Sequence, residues 1–155
     1  MALDGVTQSP KYHPEGDALT HSLQVFDHAH RRHPDPRLWL AALVHDVGKA
    51  LDGPAHDALG ATLLDGLVAP PIVTLVRHHL DLLKAPAQTR RRWRHVPLLG
   101  ALEALRRFDL AGRVVGASTR TPAEALDLLR PHLSLLSPDA AHDAAFCDAP
   151  DPRLG

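Results

Sequence analysis

The adjacent pair His45 and Asp46, inside LVHDVGK, is the point in this sequence where side-chain chemistry and burial collide. The surrounding segment is the most apolar in the chain, so an imidazole and a carboxylate are buried side by side. That is costly unless something compensates, and a divalent cation is an efficient compensator. One pair is not a site. A metal takes three or more ligands, so other His or Asp side chains must face the same way from neighbouring elements.

Four further residues meet that requirement. His21 lies in the first turn of a helix, followed by Leu23, Val25 and Phe26. His56 sits in PAHDALG, just before another helix. His79 follows Ile72, Leu75 and Val76 at steps of seven, four and three, which places it on an apolar helix face. His78 competes with it, and His79 is preferred because its neighbours at helical spacing are apolar. Asp109 closes a helix in RRFDLAGR. Four imidazoles and two carboxylates suit Fe, Mn, Co, Ni or Zn rather than Ca or Mg. Six ligands could hold two ions if Asp46 bridges them.

The elements that must position these residues are helical. Apolar spacing follows a helical period nearly everywhere, and no segment alternates strictly enough for a half-buried strand. The expectation is an all-α, single-domain bundle of about six helices. Thr20 starts the first, and HPDP at 33–36 stops it. The second runs from Arg37 to Ala50 without a break and, apolar almost all round, is central. A third covers about 58–68. Pro70 and Pro71 open a fourth that reaches about Leu83, where KAPAQT breaks it; RRRWRH at 90–95 follows as an interhelical loop. The fifth covers about 96–108. Thr121, Pro122 and Glu124 form a capping box that opens the sixth, which ends near Pro131 or Leu136. The helical domain is assigned to 1–137 and an acidic, mobile tail to 138–155.

Composition narrows the classes of function. With 45% hydrophobic and 23% charged residues, the chain is a soluble folded domain rather than a disordered or disulfide-rich one. A single cysteine, Cys147, forms no internal disulfide, and no signal peptide or 18-residue apolar run is present, so a cytoplasmic protein that does not span a membrane is expected. Charge is uneven. Residues 84–120 hold nine basic side chains against two acidic, a net of +7, while residues 121–155 carry −4. Twelve histidines against six aromatic residues is the strongest compositional bias, because imidazole is the commonest protein ligand for divalent metals.

With His21, His45, Asp46 and Asp109 in this order, the chain resembles the HD-domain superfamily of metal-dependent phosphohydrolases. His56 and His79 match the superfamily's binuclear variant. The resemblance covers about 12–113 and is strongest to the HD domain attached to bacterial tRNA nucleotidyltransferases, through YHPEGDALTH, LVHDVGKA, PAHDALGA, LVRHHL and FDLAGR. It implies a hydrolase in which two metal ions, of Fe, Mn, Ni or Co with Zn possible, activate water and stabilise charge on phosphoryl oxygens. Asp46 would bridge and orient. Lys49, four residues after His45, would stabilise a non-bridging phosphate oxygen. Arg113 would bind another phosphate or hold Asp109 in place. The implied substrate is a nucleotide or RNA-end phosphoester, cleaved by phosphomonoesterase or 2′,3′-cyclic phosphodiesterase chemistry. Hydrolysis of dinucleoside polyphosphates is the rival enzyme activity, and a non-catalytic, metal-stabilised nucleotide- or tRNA-binding module is the alternative outside enzymes.

RRRWRH interleaves an aromatic ring with arginines, a composition that binds an RNA backbone or stacks on a base and that equally suits a solvated loop. His78, Arg92 and Trp93, with Lys49 and Arg113, are therefore the candidate substrate contacts. The GK of HDVGK is not a phosphate loop, since the upstream glycine and the strand-to-helix context are missing. No G-x-S-x-G elbow occurs, and Cys147 lies among acidic residues that disfavour a reactive thiolate.

Overall fold

A computed structural model describes Leu3, Val6 and residues 17–140. Residues 12–16 and, of the 138–155 tail expected to be mobile, residues 141–155 lie outside the described residues. Among the described residues the structure is helical, with no β-strand: α1 (Ala18–Arg32), α2 (Pro36–Val44), a 3-10 turn (Val47–Ala50), α3 (His56–Leu64), α4 (Pro70–His78), α5 (Asp81–Lys84), α6 (Pro86–Arg92), α7 (Leu98–Ala111), α8 (Pro122–Leu129), a second 3-10 turn (Arg130–His132) and α9 (Leu133–Leu136). The all-α expectation holds. No helix among these is long and apolar enough to cross a membrane.

Several boundaries differ from expectation, each for a local reason. Asp17, not Thr20, caps α1: its carboxylate accepts the Thr20 N–H at 2.7 Å, and a negative charge there also favours the helix dipole. His33 leaves α1 in an extended conformation because it precedes proline. Asp35 then caps α2, accepting the Arg37 N–H at 2.9 Å and pairing with the buried Arg37 guanidinium at 2.7 Å. The long second helix ends at Val44, and residues 47–50 tighten into a 3-10 turn. KAPAQT does not simply break the chain; Pro86 opens the short helix α6, which takes in Arg90, Arg91 and Arg92. Thr121 and Glu124 form the expected capping box, with bonds of 3.2 and 2.8 Å.

The principal core joins α1, α2, α4 and α7 through Phe26, Leu38, Leu43, Ile72, Leu75, Leu102 and Leu105. A smaller cluster, Ala61, Leu64, Val73 and Val76, packs α3 on α4. The candidate residues lie between these two clusters, where α1, the end of α2, α3, the end of α4 and α7 meet.

Candidate metal centre

Helix ends, rather than helix faces, place the histidines. His45 is the C-cap of α2 and His79 the C-cap of α4, positions where carbonyls are left without intrahelical donors. The rings use them. Nδ1 of His45 donates to the Ala42 carbonyl at 2.7 Å, and Nδ1 of His79 to that of Val76 at 2.6 Å. His56, the first residue of α3 rather than part of the preceding loop, donates from Nδ1 to the Gly53 carbonyl at 2.6 Å. His21 faces the Gly112 carbonyl at 3.0 Å. With Nδ1 carrying the proton, each neutral ring presents its Nε2 lone pair to the interior, the arrangement in which protein histidines bind metal.

All four Nε2 atoms converge on two carboxylates. Asp46 divides its oxygens: Oδ2 lies 3.3 Å from His45 and 3.7 Å from His21, while Oδ1 lies 3.1 Å from His56 and 3.5 Å from His79. Asp109 Oδ1 stands 2.8 Å from His21 and 3.6 Å from His45. Two groups of potential ligands result, His21, His45 and Asp46 on one side and Asp46, His56 and His79 on the other, and all five residues are buried. Asp109, at the last turn of α7 rather than closing it, adjoins the first group.

The protein atoms alone do not satisfy this geometry. Nε2 of His45 is buried without a hydrogen bond. Nε2 of His56 and of His79 face each other at 3.2 Å, although both rings already donate from Nδ1, so lone pair meets lone pair unless a cation lies between. The His21 ring is flanked by acceptors at both nitrogens. Protons or metal ions resolve all three conflicts, and nitrogen and carboxylate donors of this kind suit a divalent transition metal. The residues fit the metal that their types suggest.

Electrostatics agree with the geometry. Burial opposes charge on His45, but Asp46 and Asp109 outweigh it and raise its pKa to about 10. Burial likewise opposes charge on Asp46, yet His45, His56 and His79 hold it well below the ordinary carboxylate range. Asp109 is depressed by His21 and His45 against the same burial penalty. A proton on His45 offsets part of the carboxylate charge that a metal would otherwise balance.

Cations also close the outer side of the carboxylates. Lys49 Nζ lies 2.9 Å from Asp46 Oδ2. It reaches there from the 3-10 turn, not from a continuous face shared with His45, which corrects the expected helix geometry. Arg113 Nη2 is 3.6 Å from Asp109 Oδ1, and Arg106, which the sequence did not single out, is 3.5 Å from Oδ2. His78 is not in the cluster. It bonds Asp81 at 2.7 Å and meets the Trp93 ring edge-on at 5.3 Å, with the Arg92 guanidinium 4.8 Å from the same ring.

The supporting residues invisible to sequence reasoning are glycines and an amide. A Cβ on Gly48 would lie 2.1 Å from the His56 carbonyl oxygen, so only glycine lets the 3-10 turn approach the start of α3. Gly112 also packs closely on Val25, where a Cβ would come within 2.7 Å of a methyl, while its carbonyl takes His21. Gln24 fixes that loop by accepting from the Val114 N–H at 3.1 Å and donating to its carbonyl at 2.8 Å. Glycine at both DVGK and LAGR was the available signal.

The family described as HD domain matches residues 18–117, which include all six converging residues. The chain belongs to the HD-domain superfamily. This HD domain is 35% identical to the Multifunctional CCA protein of Methylococcus capsulatus over 97% of its own length and 35% of the relative's. It is 40% identical to the Multifunctional CCA protein of Halorhodospira halophila, over 57% of this chain and 20% of that one. The counterpart from Nitrosospira multiformis is 34% identical over 54% of this chain and 24% of its own. The HD domain thus spans about a third or less of the curated relatives it matches.

Proposed function

We propose that this chain is a metal-dependent phosphohydrolase acting on a nucleotide or RNA-end phosphoester, as a phosphomonoesterase or 2′,3′-cyclic phosphodiesterase. The observation that carries this reading is the division of Asp46 between two histidine pairs, the arrangement a bridging carboxylate needs. His21, His45, Asp46 and Asp109 would hold one ion, and Asp46, His56 and His79 a second, of Fe, Mn, Ni, Co or Zn. Such ions supply a water acidic enough to ionise near neutral pH and positive charge for phosphoryl oxygens. Around them, the chain's own residues set the rest. Lys49 balances the charge on Asp46 and brings an ammonium to the edge where a non-bridging oxygen would sit. Arg113 and Arg106 fix the orientation of Asp109, and Arg113 retains spare donors for phosphate. The carbonyls of Ala42, Gly53, Val76 and Gly112 hold the rings in register.

The relatives' name, Multifunctional CCA protein, supports a substrate connected with RNA ends. The test combines metal analysis with turnover. Protein purified without chelators or a histidine tag should carry about two transition-metal ions per chain, and it should hydrolyse 2′,3′-cyclic nucleotides or terminal phosphomonoesters with Mn, Ni, Co or Fe. Selective turnover of dinucleoside polyphosphates would move the assignment to that reaction. Metal binding without any turnover would leave the binding module.

A further inference from the structure

We infer that the basic, aromatic surface formed by α5, α6 and residues 93–95 binds single-stranded RNA and leads it to the metal centre. The inference rests on the proposed phosphoester reading only for where the strand ends. Six arginines face carboxylates: Arg37 pairs with Asp35, Arg90 with Glu103, Arg106 and Arg113 with Asp109, Arg120 with Asp27, and Arg130 with Asp127. Arg91, Arg92 and Arg94 have no such partner among the described residues, and all three are exposed. Unneutralised, adjacent and on one short segment, they are an electrostatic track for a polyanion.

Two features make the track fit nucleic acid in single-stranded form. Trp93 is half-buried against the core and held by its ring, with the Arg92 guanidinium on it and His78 at its edge, while its Nε1 finds no hydrogen-bond partner. A planar guanidinium backed by an indole is a stacking platform for an unpaired base. Beside it, a crevice of about 210 Å³ between α5 and α6 is lined by Asp81, Lys84, Gln88, Thr89 and Arg92, combining two cationic heads and an amide that both donates and accepts with a carboxylate that His78 engages at 2.7 Å.

The surface is joined to the metal centre at two points. Lys84 reaches Asp57, the neighbour of His56, at 3.2 Å, and His78, the neighbour of His79, carries the contact to Trp93. A strand lying over Arg94, Trp93 and Arg92 therefore runs toward the His56 and His79 half of the centre.

The test is fluorescence anisotropy with the full chain and a short, unstructured, end-labelled RNA over a series of salt concentrations. Arg92→Ala/Arg94→Ala should weaken binding by about tenfold at low salt and flatten the dependence of log K on log salt by about 1.4, two contacts at about 0.7 each. Arg31→Ala/Arg130→Ala, a change of equal charge on exposed residues elsewhere, should alter affinity by less than twofold. An abasic strand with the same phosphates should bind about fivefold more weakly than the natural strand. Equal losses from both double variants, no loss from either, or equal binding of the abasic strand would overturn the inference. Turnover is not needed: RNA binding of this pattern in a protein that hydrolyses no phosphoester refutes the proposed function and leaves this surface standing.

Discussion

Asp46 meets four imidazoles and an ammonium with only two oxygens, so its charge matters more than its shape. Asp46→Asn preserves the shape and removes the charge. Second-layer partners of a metal typically cost about 10–100-fold when lost, and a bridging ligand should exceed that. We expect metal content to drop by at least half and turnover by more than about 100-fold, read by elemental analysis and a phosphoester assay. His45 supplies a pH signature in the chelator-treated protein. Its pKa is raised from 6.5 to about 10, so the stability of its pairing with Asp46 and Asp109 is fully present below pH 6.5 and is lost as pH rises toward 10. Both carboxylates are depressed, so their contribution is present above pH 3.8 and fails only in stronger acid. The melting temperature of the metal-free protein should therefore fall between pH 7 and pH 10; a flat profile would rule out a protonated His45. The six converging residues were legible in the sequence because their types and apolar neighbours mark them. The carbonyls that orient the histidines were not, since a backbone acceptor has no residue type and becomes available only where a helix stops.

The elements explain what the residues alone cannot. A helical pattern from Arg37 to Ala50 concealed the break after Val44, because apolar periodicity persists through the 3-10 turn. The break is what brings Lys49 back onto Asp46 and sets Gly48 against α3. Gly48→Ala should therefore act on the centre from outside it. A Cβ 2.1 Å from the His56 carbonyl forces the 3-10 turn and α3 apart, and overpacking of this kind costs about 1–3 kcal/mol. Metal retention should fall mainly in the half held by His56 and His79. Circular dichroism melts together with metal stoichiometry would detect both effects, and unchanged stoichiometry would show that α3 follows the turn without loss. The short helix α6 escaped the sequence pattern for a different reason. Seven residues, five of them Gln, Thr or Arg and all of these but Thr89 exposed, carry too little apolar periodicity to register, and proline at its start reads as easily as a break.

At the scale of the whole molecule, the centre ties together α1, α2, α3, α4 and α7, which share few other polar contacts. Metal bound only by the folded chain stabilises it by mass action, about 2.7 kcal/mol at a hundredfold excess over the dissociation constant. For a domain of this size that corresponds to about 5–10 °C. Adding a chelator should lower the melting temperature by that amount while leaving a single cooperative transition, as calorimetry would record; no shift would mean the cluster folds as tightly around protons as around metal. The bundle itself was legible in sequence because most apolar positions repeat at helical spacing. How the helices converge was not, because meeting at a common point depends on packing between the two apolar clusters.

A carboxylate that serves two neighbours cannot serve them independently. Because Oδ1 and Oδ2 of Asp46 belong to one rigid group, that carboxylate, if it held an ion beside His21 and His45, would present a turned and polarised oxygen to His56 and His79. Occupancy of one half would then be an effector of the other, with a coupling free energy that is the same in both directions. Metal titration followed by calorimetry should accordingly be biphasic, and replacing His79 should alter the affinity of the half that His79 never touches.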